Sequence, residues 1–193
     1  CLKFAETYSK TNKIDILVNN GGVSQRDEFV NSSFVICTNL VNINTMSPIA
    51  LIKGFLPSFG KGSQIVNITS ITGQFGTPLR TFYCTSKFAI DGFSKALAAE
   101  LKDTHMCICY PAYVQTNIAK SALIGGGVAM GKTDSNIGNG LPCDVAVRDL
   151  IKAMYTKRDW ITLEPNYYYT IMSRLQLILG ESHNRQMMQT SYI

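Results

Sequence analysis

Short runs of aliphatic residues alternate along this chain with longer segments of helical periodicity, and this alternation constrains the fold more than any other feature. The apolar runs cover residues 13–18, 64–69, 105–110 and 160–163. They are mostly apolar rather than strictly alternating, as is typical of strands buried on both faces. Helical spacing marks residues 2–10, 34–56, 83–102 and 142–157 and the segment after Pro165. The sequence therefore predicts an α/β fold, a doubly wound parallel sheet with helices on both faces.

The 193 residues are expected to form a single domain, since no internal repeat or linker interrupts them. Residues 117–141 are rich in Gly, Ser and Asn and are predicted to form a long loop over the substrate. Long loops inside compact domains are commonly lids or binding segments. Gly125, Gly126 and Gly127 are candidate hinges for closure, and plain disorder is the equally weighted alternative. Residues 142–193 are predicted to extend the domain on the substrate side.

Composition excludes several classes of function. The net charge of +5 is spread along the chain, without the clustered basic stripe of a nucleic-acid-binding protein. The six cysteines form no CxxC pair and the two histidines are far apart, so no zinc site is expected. Cys107 and Cys109 are expected to be buried, inert thiols on one face of a strand. The apolar segment 167–179 is interrupted by Arg174, which favours a packed amphipathic helix over a helix lying on a membrane surface.

Tyr83 and Lys87 are the first candidates for catalysis, because residues four apart at the start of a helix point along one face. A tyrosine that exchanges a proton near neutrality needs a pKa below its usual value of about 10. An ammonium group one helical turn away is expected to lower that pKa. Ser70 ends a buried strand thirteen residues earlier, where its hydroxyl would hold a substrate carbonyl beside the phenol. A surface helix pair and a turn-capping serine are the structural alternatives.

Asn44 lies within a predicted helix, although asparagine is a poor helix former. The position suggests that its side chain holds a water molecule or opens a helical turn towards Lys87. An exposed or capping asparagine is the structural alternative, and Asn42 is a rival candidate for the same role.

Six segments together resemble the short-chain dehydrogenase/reductase family in their order and spacing. They are DILVNNGG at 15–22, Asn44, Leu56-Pro57, IVNITS at 65–70, YCTSK at 83–87 and PAYVQT at 111–116. The resemblance implies a Rossmann-like sheet, hydride transfer between a carbonyl and an alcohol, and NAD or NADP as cofactor. The branch that the chain most resembles contains family member seven and the hydroxysteroid dehydrogenases. That branch implies a lipophilic substrate such as a steroid, a retinoid or a xenobiotic ketone.

The resemblance also implies roles for individual residues. Tyr83 is expected to be the general acid and base, and Ser70 is expected to orient the carbonyl. Lys87 is expected to lower the pKa of the tyrosine and to bind the nicotinamide ribose, while Asn44 supports a proton relay. The Asn20–Gly21 turn would pass the adenosine side of the cofactor, and Val114 and Thr116 would meet the carboxamide. The expected cofactor-binding residues are thus Asn20, Gly21, Tyr83, Lys87, Pro111, Val114 and Thr116.

By the same resemblance, helices 34–56 and 83–102 are expected to pair across subunits in a homodimer or homotetramer. Small residues on the second helix, Ala89, Gly92, Ala96 and Ala99, would permit a close approach. The expected location is the cytoplasm or the endoplasmic reticulum, with association with a membrane surface left open. The choice between NAD and NADP and the direction of the reaction are open as well.

The chain departs from the family pattern in three places. Gly21 stands where the family has Ala, which only loosens the turn, and Ala112 stands where it has Gly, which adds a methyl group near the nicotinamide. The opening strand, glycine-rich turn and helix of the family have no counterpart, since fourteen residues precede Asp15. The chain is therefore interpreted as an N-terminally truncated fragment. Alone, it is expected to bind cofactor poorly and to expose an edge of its sheet.

Two other functions stay open at this point. The main alternative is a truncated, catalytically inactive family member that acts as a binding or scaffold module. Residues 126–133 also satisfy the phosphate-loop pattern G-x-x-x-x-G-K-[ST]. Gly138, Gly140 and Pro142 oppose the helix that must follow such a loop, so a nucleotide triphosphatase is disfavoured.

Overall fold

The computed structural model describes residues 1–132 and 135–179. In this part of the chain the strands are β1 (Ile14–Asn19), β2 (Phe59–Ile68), β3 (His105–Pro111), β4 (Leu123–Ile124), β5 (Val128–Ala129) and β6 (Trp160–Leu163). Four of them form a parallel sheet in the order β1-β2-β3-β6. The predicted α/β fold with a parallel sheet is confirmed. Strand β2 begins five residues before its predicted start, and β3 continues to Pro111.

Helices connect and cover these strands. They are α1 (Leu2–Ser9), α2 (Phe34–Val41), α3 (Ser47–Phe55), α4 (Thr81–Glu100), α5 (Ser135–Gly138), α6 (Cys143–Tyr155) and α7 (Tyr168–Leu179). Short 3-10 turns lie at Phe29–Asn31, Leu56–Ser58 and Ile71–Gly73. Helix α4 begins two residues earlier than predicted, which places Tyr83 in its first turn and Lys87 one turn later.

The single helix predicted over residues 34–56 is interrupted. A π-helical turn covers Asn42–Met46 and joins α2 to α3. The hydroxyl of Ser47 donates a hydrogen bond of 2.9 Å to the Asn42 carbonyl across this wide turn. Asn44 is buried within the turn, whereas Asn42 is exposed. Of the two rival asparagines, Asn44 is therefore the one that faces the interior.

The stretch Phe34–Ser58 is, within the described residues, the helical segment whose length and composition would suit a membrane span. In the structure it packs against the rest of the domain, with Ile36, Leu40, Ile52 and Phe55 buried. Its apolar character is accounted for in part by this packing, since a core helix has the same composition.

The hydrophobic core lies on both faces of the two central strands. Ile65 and Val66 of β2 and Cys107 and Cys109 of β3 are completely buried. The two cysteines are free thiols, as expected. Burial raises the pKa of the Cys107 thiol to about 11, so this group stays protonated near neutrality. Both are inert packing residues in the centre of the sheet.

Strand β1 lies at one edge of the sheet, where it pairs with β2. Its side chains Ile16 and Val18 are 50% and 44% exposed. Aliphatic side chains on an unpaired strand edge form a surface on which a further chain segment can pack.

Residues 117–141, predicted as a long loop, contain short regular elements in their described part. Strands β4 and β5 form a hairpin whose turn includes Gly125 and Gly127, both with positive φ. The Asp27 carboxylate accepts a 2.7 Å hydrogen bond from the Gly125 N–H, and Leu123 bonds to Ser24 through the backbone. Long-range bonds thus order a hairpin within the segment predicted as a long loop, and the position of this loop over the substrate stays a prediction.

Candidate active site

Three strand ends meet at one edge of the sheet, as parallel pairing requires. Strand β1 ends at Asn19, β2 leads into Ser70, and β3 ends at Pro111. The side-chain amide of Asn19 donates a 2.8 Å hydrogen bond to Asn67 on the neighbouring strand. Asn67 in turn bonds to the Ser94 hydroxyl of α4 at 2.8 Å. The strands and α4 are thus fixed together beside the predicted catalytic residues.

Two cavities open at this edge, and the side chains of Ser70 and Tyr83 line both of them. We call the larger one, of about 520 Å³, the Lys87 cavity; its lining includes Asn20, Gly21, Tyr83, Lys87, Pro111, Val114 and Thr116. These are all seven of the residues expected to bind a cofactor. We call the smaller one, of about 250 Å³, the Arg80 cavity; its lining includes Ser24, Phe75, Arg80, Tyr113, Tyr168 and Tyr169.

Ser70 is buried at the junction of the two cavities and has an extended backbone that ends β2. Its hydroxyl oxygen accepts a hydrogen bond of 3.2 Å from the Thr72 N–H and so caps the following 3-10 turn. The preceding Thr69 is fixed to the Cys109 carbonyl by its N–H and its hydroxyl, both at 2.8 Å. Ser70 can therefore cap this turn and also act in the site, because its hydroxyl proton is still available for donation.

Tyr83 is 6% exposed in the first turn of α4. Burial raises the pKa of its phenol above the ordinary value, since a phenolate is poorly solvated there. The Arg80 guanidinium opposes this rise most strongly, and the Ser70 hydroxyl, as a hydrogen-bond donor to the phenol oxygen, also lowers the pKa. The neighbouring Cys84 thiol raises it further.

Lys87 is 4% exposed, and its amine donates a 3.0 Å hydrogen bond to the Ile68 carbonyl. The nitrogen lies 5.8 Å from the centre of the Tyr83 ring. Burial lowers the pKa of Lys87 from 10.5 to about 8. The role of Lys87 in lowering the pKa of Tyr83 stays a prediction, and the structure adds Arg80 as a second cation beside the phenol.

Asn44 uses its side-chain amide to hold the segment after β1 in place. Its oxygen accepts a 2.9 Å bond from the Val23 N–H, and its nitrogen donates to the Val23 carbonyl at 2.8 Å and to the Ser86 hydroxyl at 2.9 Å. The π-helical turn is what aims this amide inward. It thereby ties α4, one residue before Lys87, to the turn that follows β1.

The Asn20–Gly22 segment forms the rim of the Lys87 cavity next to β1. Neither Gly21 nor Gly22 has positive φ. A Cβ added at Gly21 would have no neighbour within 4 Å. A Cβ added at Gly22 would lie 3.2 Å from Oδ1 of Asn44 and 3.6 Å from Nζ of Lys87. The small size of residue 22, rather than an unusual backbone angle, keeps this rim close to Lys87.

The opposite rim is the segment after β3. Val114 pairs with Leu141 in an isolated bridge, and Thr116 follows it along the cavity wall. Ala112 lines both cavities and is held by a 3.0 Å hydrogen bond from its N–H to the Leu163 carbonyl. The extra methyl group of Ala112 thus lies at the boundary where it was expected to matter.

Arg80 is the main residue of the site that sequence reasoning missed. It is buried at the N-terminal boundary of α4, and its Nη1 donates a 3.0 Å hydrogen bond to the Ser24 hydroxyl. Its guanidinium carbon lies 6.0 Å from the centre of the Tyr83 ring. One signal was available, because a cation at a helix N-terminus opposes the helix dipole and needs a reason to be there.

The phosphate-loop pattern at residues 126–133 does not adopt the structure that it needs. Its first part lies in the β4–β5 hairpin rather than between a buried strand and a helix, and Thr133 lies outside the described residues. Within the described residues, no cluster of three His, Cys, Asp or Glu side chains could hold a metal ion.

Comparison with known proteins identifies relatives of the chain. The profile of the family described as short chain dehydrogenase matches residues 3–124. A dehydrogenase/reductase SDR family protein 7-like from Drosophila melanogaster is 29% identical over 192 residues, covering 90% of this chain and 59% of the relative. Dehydrogenase/reductase SDR family member 7B from Rattus norvegicus is 31% identical over 183 residues, covering 90% and 56%. The chain thus spans about half the length of the curated relatives it matches.

Solved structures share the fold. A short-chain dehydrogenase/reductase from Burkholderia phymatum in complex with NAD has a TM-score of 0.72 at 20% identity, covering 88% of this chain and 68% of that one. An alcohol dehydrogenase from the archaeon Thermococcus sibiricus complexed with 5-hydroxy-NADP has a TM-score of 0.66 at 21% identity, covering 86% and 72%. At this level of identity the likeness establishes a Rossmann-type α/β fold.

Proposed function

This chain belongs to the short-chain dehydrogenase/reductase family, and from that premise we propose that the full protein interconverts a carbonyl and an alcohol by hydride transfer. The observation that carries the proposal is the position of Ser70 and Tyr83, which line both cavities at the carboxyl edge of the sheet. A reaction between two bound molecules needs its proton donor at such a junction, within reach of the reacting oxygen.

The Lys87 cavity is the proposed binding site of NAD or NADP. Its lining fits the nicotinamide half of such a cofactor, because Gly21 and Gly22 leave backbone accessible and Lys87 presents an ammonium group. One of the three N–H donors of that ammonium binds the Ile68 carbonyl, and the others would bind ribose hydroxyls. When bound, the cofactor supplies or accepts the hydride at the carbonyl carbon.

The chain's own residues would handle the proton on the substrate oxygen. In reduction, the Tyr83 phenol donates its proton to the carbonyl oxygen, and in oxidation its phenolate takes the proton from the alcohol. The Ser70 hydroxyl donates a hydrogen bond to the same oxygen, where negative charge develops during hydride transfer. Asn44 keeps the first turns of α4 fixed to the β1 rim and would support a proton relay to Lys87.

The Arg80 cavity is the proposed substrate site. Phe75, Tyr113, Tyr168 and Tyr169 contribute aromatic surface to it, and Phe75 and Tyr169 stack with their ring centres 6.2 Å apart. Such a wall favours a lipophilic substrate, such as a steroid, a retinoid or a xenobiotic ketone. The α5 and α7 segments contribute to this wall, which supports the interpretation of residues 117–141 and 142–193 as substrate-side elements.

A homodimer or homotetramer is proposed on the basis of the helical face next to the site. Phe34, Val35, Ile43 and Met46 are between 42% and 76% exposed on the α2 segment, and Phe88 is 44% exposed on α4. Exposed apolar side chains that are contiguous commonly mark an interface. The proposed location is the cytoplasm or the endoplasmic reticulum, where a membrane surface would supply lipophilic substrates.

The proposed activity is tested by Tyr83→Phe in the full-length protein. We expect turnover of ketones with NADH or NADPH to fall by about 10²–10⁴-fold, because the proton donor is lost. The dissociation constant of the cofactor, measured by fluorescence titration, should stay within about twofold, since the ring remains in place. Tyr155→Phe is the control, because Tyr155 is 87% exposed on α6.

The alternative is a family member that binds ligands without turning them over. Its signature would be cofactor binding by the full-length protein with no reduction or oxidation across a panel of lipophilic ketones and alcohols. Equal turnover by the wild type and Tyr83→Phe would also refute the proposed mechanism.

A further inference from the structure

Resting on the proposed function, we propose that Arg80 is a positioning residue that favours the ionised, proton-accepting form of Tyr83 from the substrate side. The family motif around Tyr83 and Lys87 contains one cation, and the structure adds a second one. Arg80 acts through the phenol, because its guanidinium faces the Tyr83 ring and is held there by a side chain of another segment.

The two cations lie in different cavities on either side of Tyr83. The Arg80 guanidinium carbon is 6.0 Å from the ring centre, and the Lys87 nitrogen is 5.8 Å from it. Arg80 lines the Arg80 cavity and does not line the Lys87 cavity, while the reverse holds for Lys87. The phenol therefore experiences positive charge from the substrate side and from the cofactor side.

The guanidinium is held in place rather than free to swing away. Its Nη1 donates to the Ser24 hydroxyl, and Ser24 is itself 1% exposed with its carbonyl accepting a 2.8 Å bond from the Leu123 N–H. Arg80 is 7% exposed. Charge interactions over such distances are several-fold stronger in a partly desolvated site than in water. A fixed, buried guanidinium can thus bias the protonation of a phenol one helical turn away.

The two cations differ in the pH range over which each stays protonated. Burial lowers the pKa of Lys87 to about 8, so its amine loses its proton as the pH rises through the range in which a phenol ionises. A guanidinium keeps its charge throughout that range. The direction of the effect on the phenol supports this role. Burial raises the pKa of Tyr83, and Arg80 opposes that rise more strongly than any other neighbouring group.

Other titratable groups around Tyr83 do not supply the same effect. On α4, Cys84 raises the pKa of the phenol. From α2, Cys37 packs against the cluster that contains Tyr83. From β3, the Cys109 thiol faces Lys87, and burial raises the pKa of that thiol so that it stays neutral.

Across the Arg80 cavity the titratable groups are the phenols of Tyr113, Tyr168 and Tyr169. Among the described residues that line this cavity, Arg80 is the only cationic side chain.

The first test is the pH dependence of kcat/KM for alcohol oxidation by the full-length protein at saturating cofactor. The rate rises with pH as the phenolate forms, so a higher pKa moves the midpoint to higher pH. In Arg80→Met the midpoint should move upward by about one pH unit, at the low end of the shifts that a nearby opposite charge produces. Arg80→Lys should recover much of the shift because it keeps the charge. Arg148→Met, which removes an exposed charge on α6, should leave the midpoint unchanged.

The second test does not depend on turnover. Phenolate absorbance is titrated in the wild type and in Tyr83→Phe, and the difference isolates Tyr83. The same subtraction in the Arg80→Met background should give a curve shifted to higher pH. Ser24→Ala, which loosens the guanidinium without removing its charge, should give a smaller shift in the same direction. This milder variant keeps the idea testable if Arg80→Met fails to fold by circular dichroism.

The outcomes separate this inference from the proposed activity. If Arg80→Met lowers the rate equally at every pH and the phenol titration does not move, Arg80 has only a structural or substrate-binding role and the inference is wrong. If the titration moves but the wild type oxidises no alcohol with either cofactor, the proposed activity is wrong and the effect of Arg80 on Tyr83 stands.

Discussion

The two cavities differ in how the chain builds them. The Lys87 cavity takes part of its lining, including Gly21, Ser70 and Lys87, from strand ends and the first turns of α4, and residues 114–121, α5 and α6 complete it. The Arg80 cavity has a wall of aromatic side chains from distant segments, Phe75, Tyr113 and Tyr169. Elements that form a parallel sheet always bring their carboxyl ends together. The difference teaches that the reacting residues of this site are placed by topology, whereas the aromatic wall of the substrate side depends on particular long-range contacts.

The largest effect on the Lys87 cavity is expected from Lys87→Met. This change removes the amine that binds the Ile68 carbonyl and the proposed ribose contact, while keeping much of the side-chain volume. We expect turnover to fall on the order of 100-fold and the cofactor dissociation constant to rise about tenfold, a loss of roughly 1.4 kcal/mol. Steady-state kinetics and fluorescence titration measure the two. Lys102→Met, an exposed position just after α4, is the matched control.

If Lys87→Met changed only the KM of the ketone, the assignment of one cavity to the cofactor and the other to the substrate would be contradicted. The amine would then belong functionally to the substrate side, and the assignment of the Lys87 cavity to the cofactor would have to be withdrawn.

A second substitution tests whether the turn that carries Ser70 must pack closely against α4 to keep Ser70 beside Tyr83. A Cβ at Gly73 would lie 2.8 Å from the carbonyl oxygen and 3.0 Å from the carbonyl carbon of Lys87. Gly73→Ala must therefore push the Ser70–Gly73 turn away from α4 and separate Ser70 from Tyr83. We expect a loss of about 1–3 kcal/mol in unfolding free energy and about a tenfold loss of turnover.

The control for this change is Gly76→Ala, three residues later. A Cβ at Gly76 would have no neighbour within 4 Å, and the residue is exposed with no positive φ. Thermal or urea unfolding should therefore distinguish the two variants. Equal stability and activity in both would mean that the turn can shift without cost, contrary to the close packing described above.

The fold could be predicted from the sequence wherever local pattern and tertiary position agree. The run at residues 64–69 contains Ile65, Val66 and Ile68, as expected for a strand such as β2 that is buried between two neighbours, and it is a strand both in the prediction and in the structure. The helix over 34–56 was predicted in outline, with an opened helical turn at Asn44 as one possibility. The π-helical turn could not be chosen from the sequence, since it depends on the contacts of Asn44 with Val23 and Ser86. The hairpin at 123–129 was missed for the same reason, because Asp27 fixes it from far along the chain.

The same distinction applies to the candidate site. Ser70, Tyr83 and Lys87 could be singled out from spacing, since a strand end and two residues one helical turn apart have a fixed geometry. Arg80 has no fixed spacing to the other site residues that would have marked it, and beyond its place at a helix N-terminus its burial depends on a hydrogen bond to Ser24, fifty-six residues earlier. The sequence did not indicate that a second cation lies beside the phenol, since the position of Arg80 against the Tyr83 ring is a property of the folded chain.

A smaller effect on the Lys87 cavity is expected from Gly22→Ala. The added methyl group would be 3.2 Å from Oδ1 of Asn44, closer than ordinary van der Waals contact, and 3.6 Å from the Lys87 nitrogen. We expect the cofactor to bind a few-fold more weakly, because a contact this tight is typically worth about 1 kcal/mol or less. Gly21→Ala should have a smaller effect on the same fluorescence titration, since a Cβ there meets no other protein atom within 4 Å.

The smallest effect is expected on the substrate side, from Tyr168→Ala. Tyr168 lines the Arg80 cavity and makes an edge-to-face contact with Tyr169, with ring centres 5.0 Å apart. Removing one such ring costs about 0.5–1.5 kcal/mol, so the KM for a lipophilic ketone should rise a few-fold while the cofactor dissociation constant stays the same. Tyr167→Ala is the matched control, because Tyr167 is 78% exposed and does not line the cavity. A change in cofactor binding with an unchanged KM would reverse the assignment of the two cavities, since the aromatic wall would then belong to the cofactor.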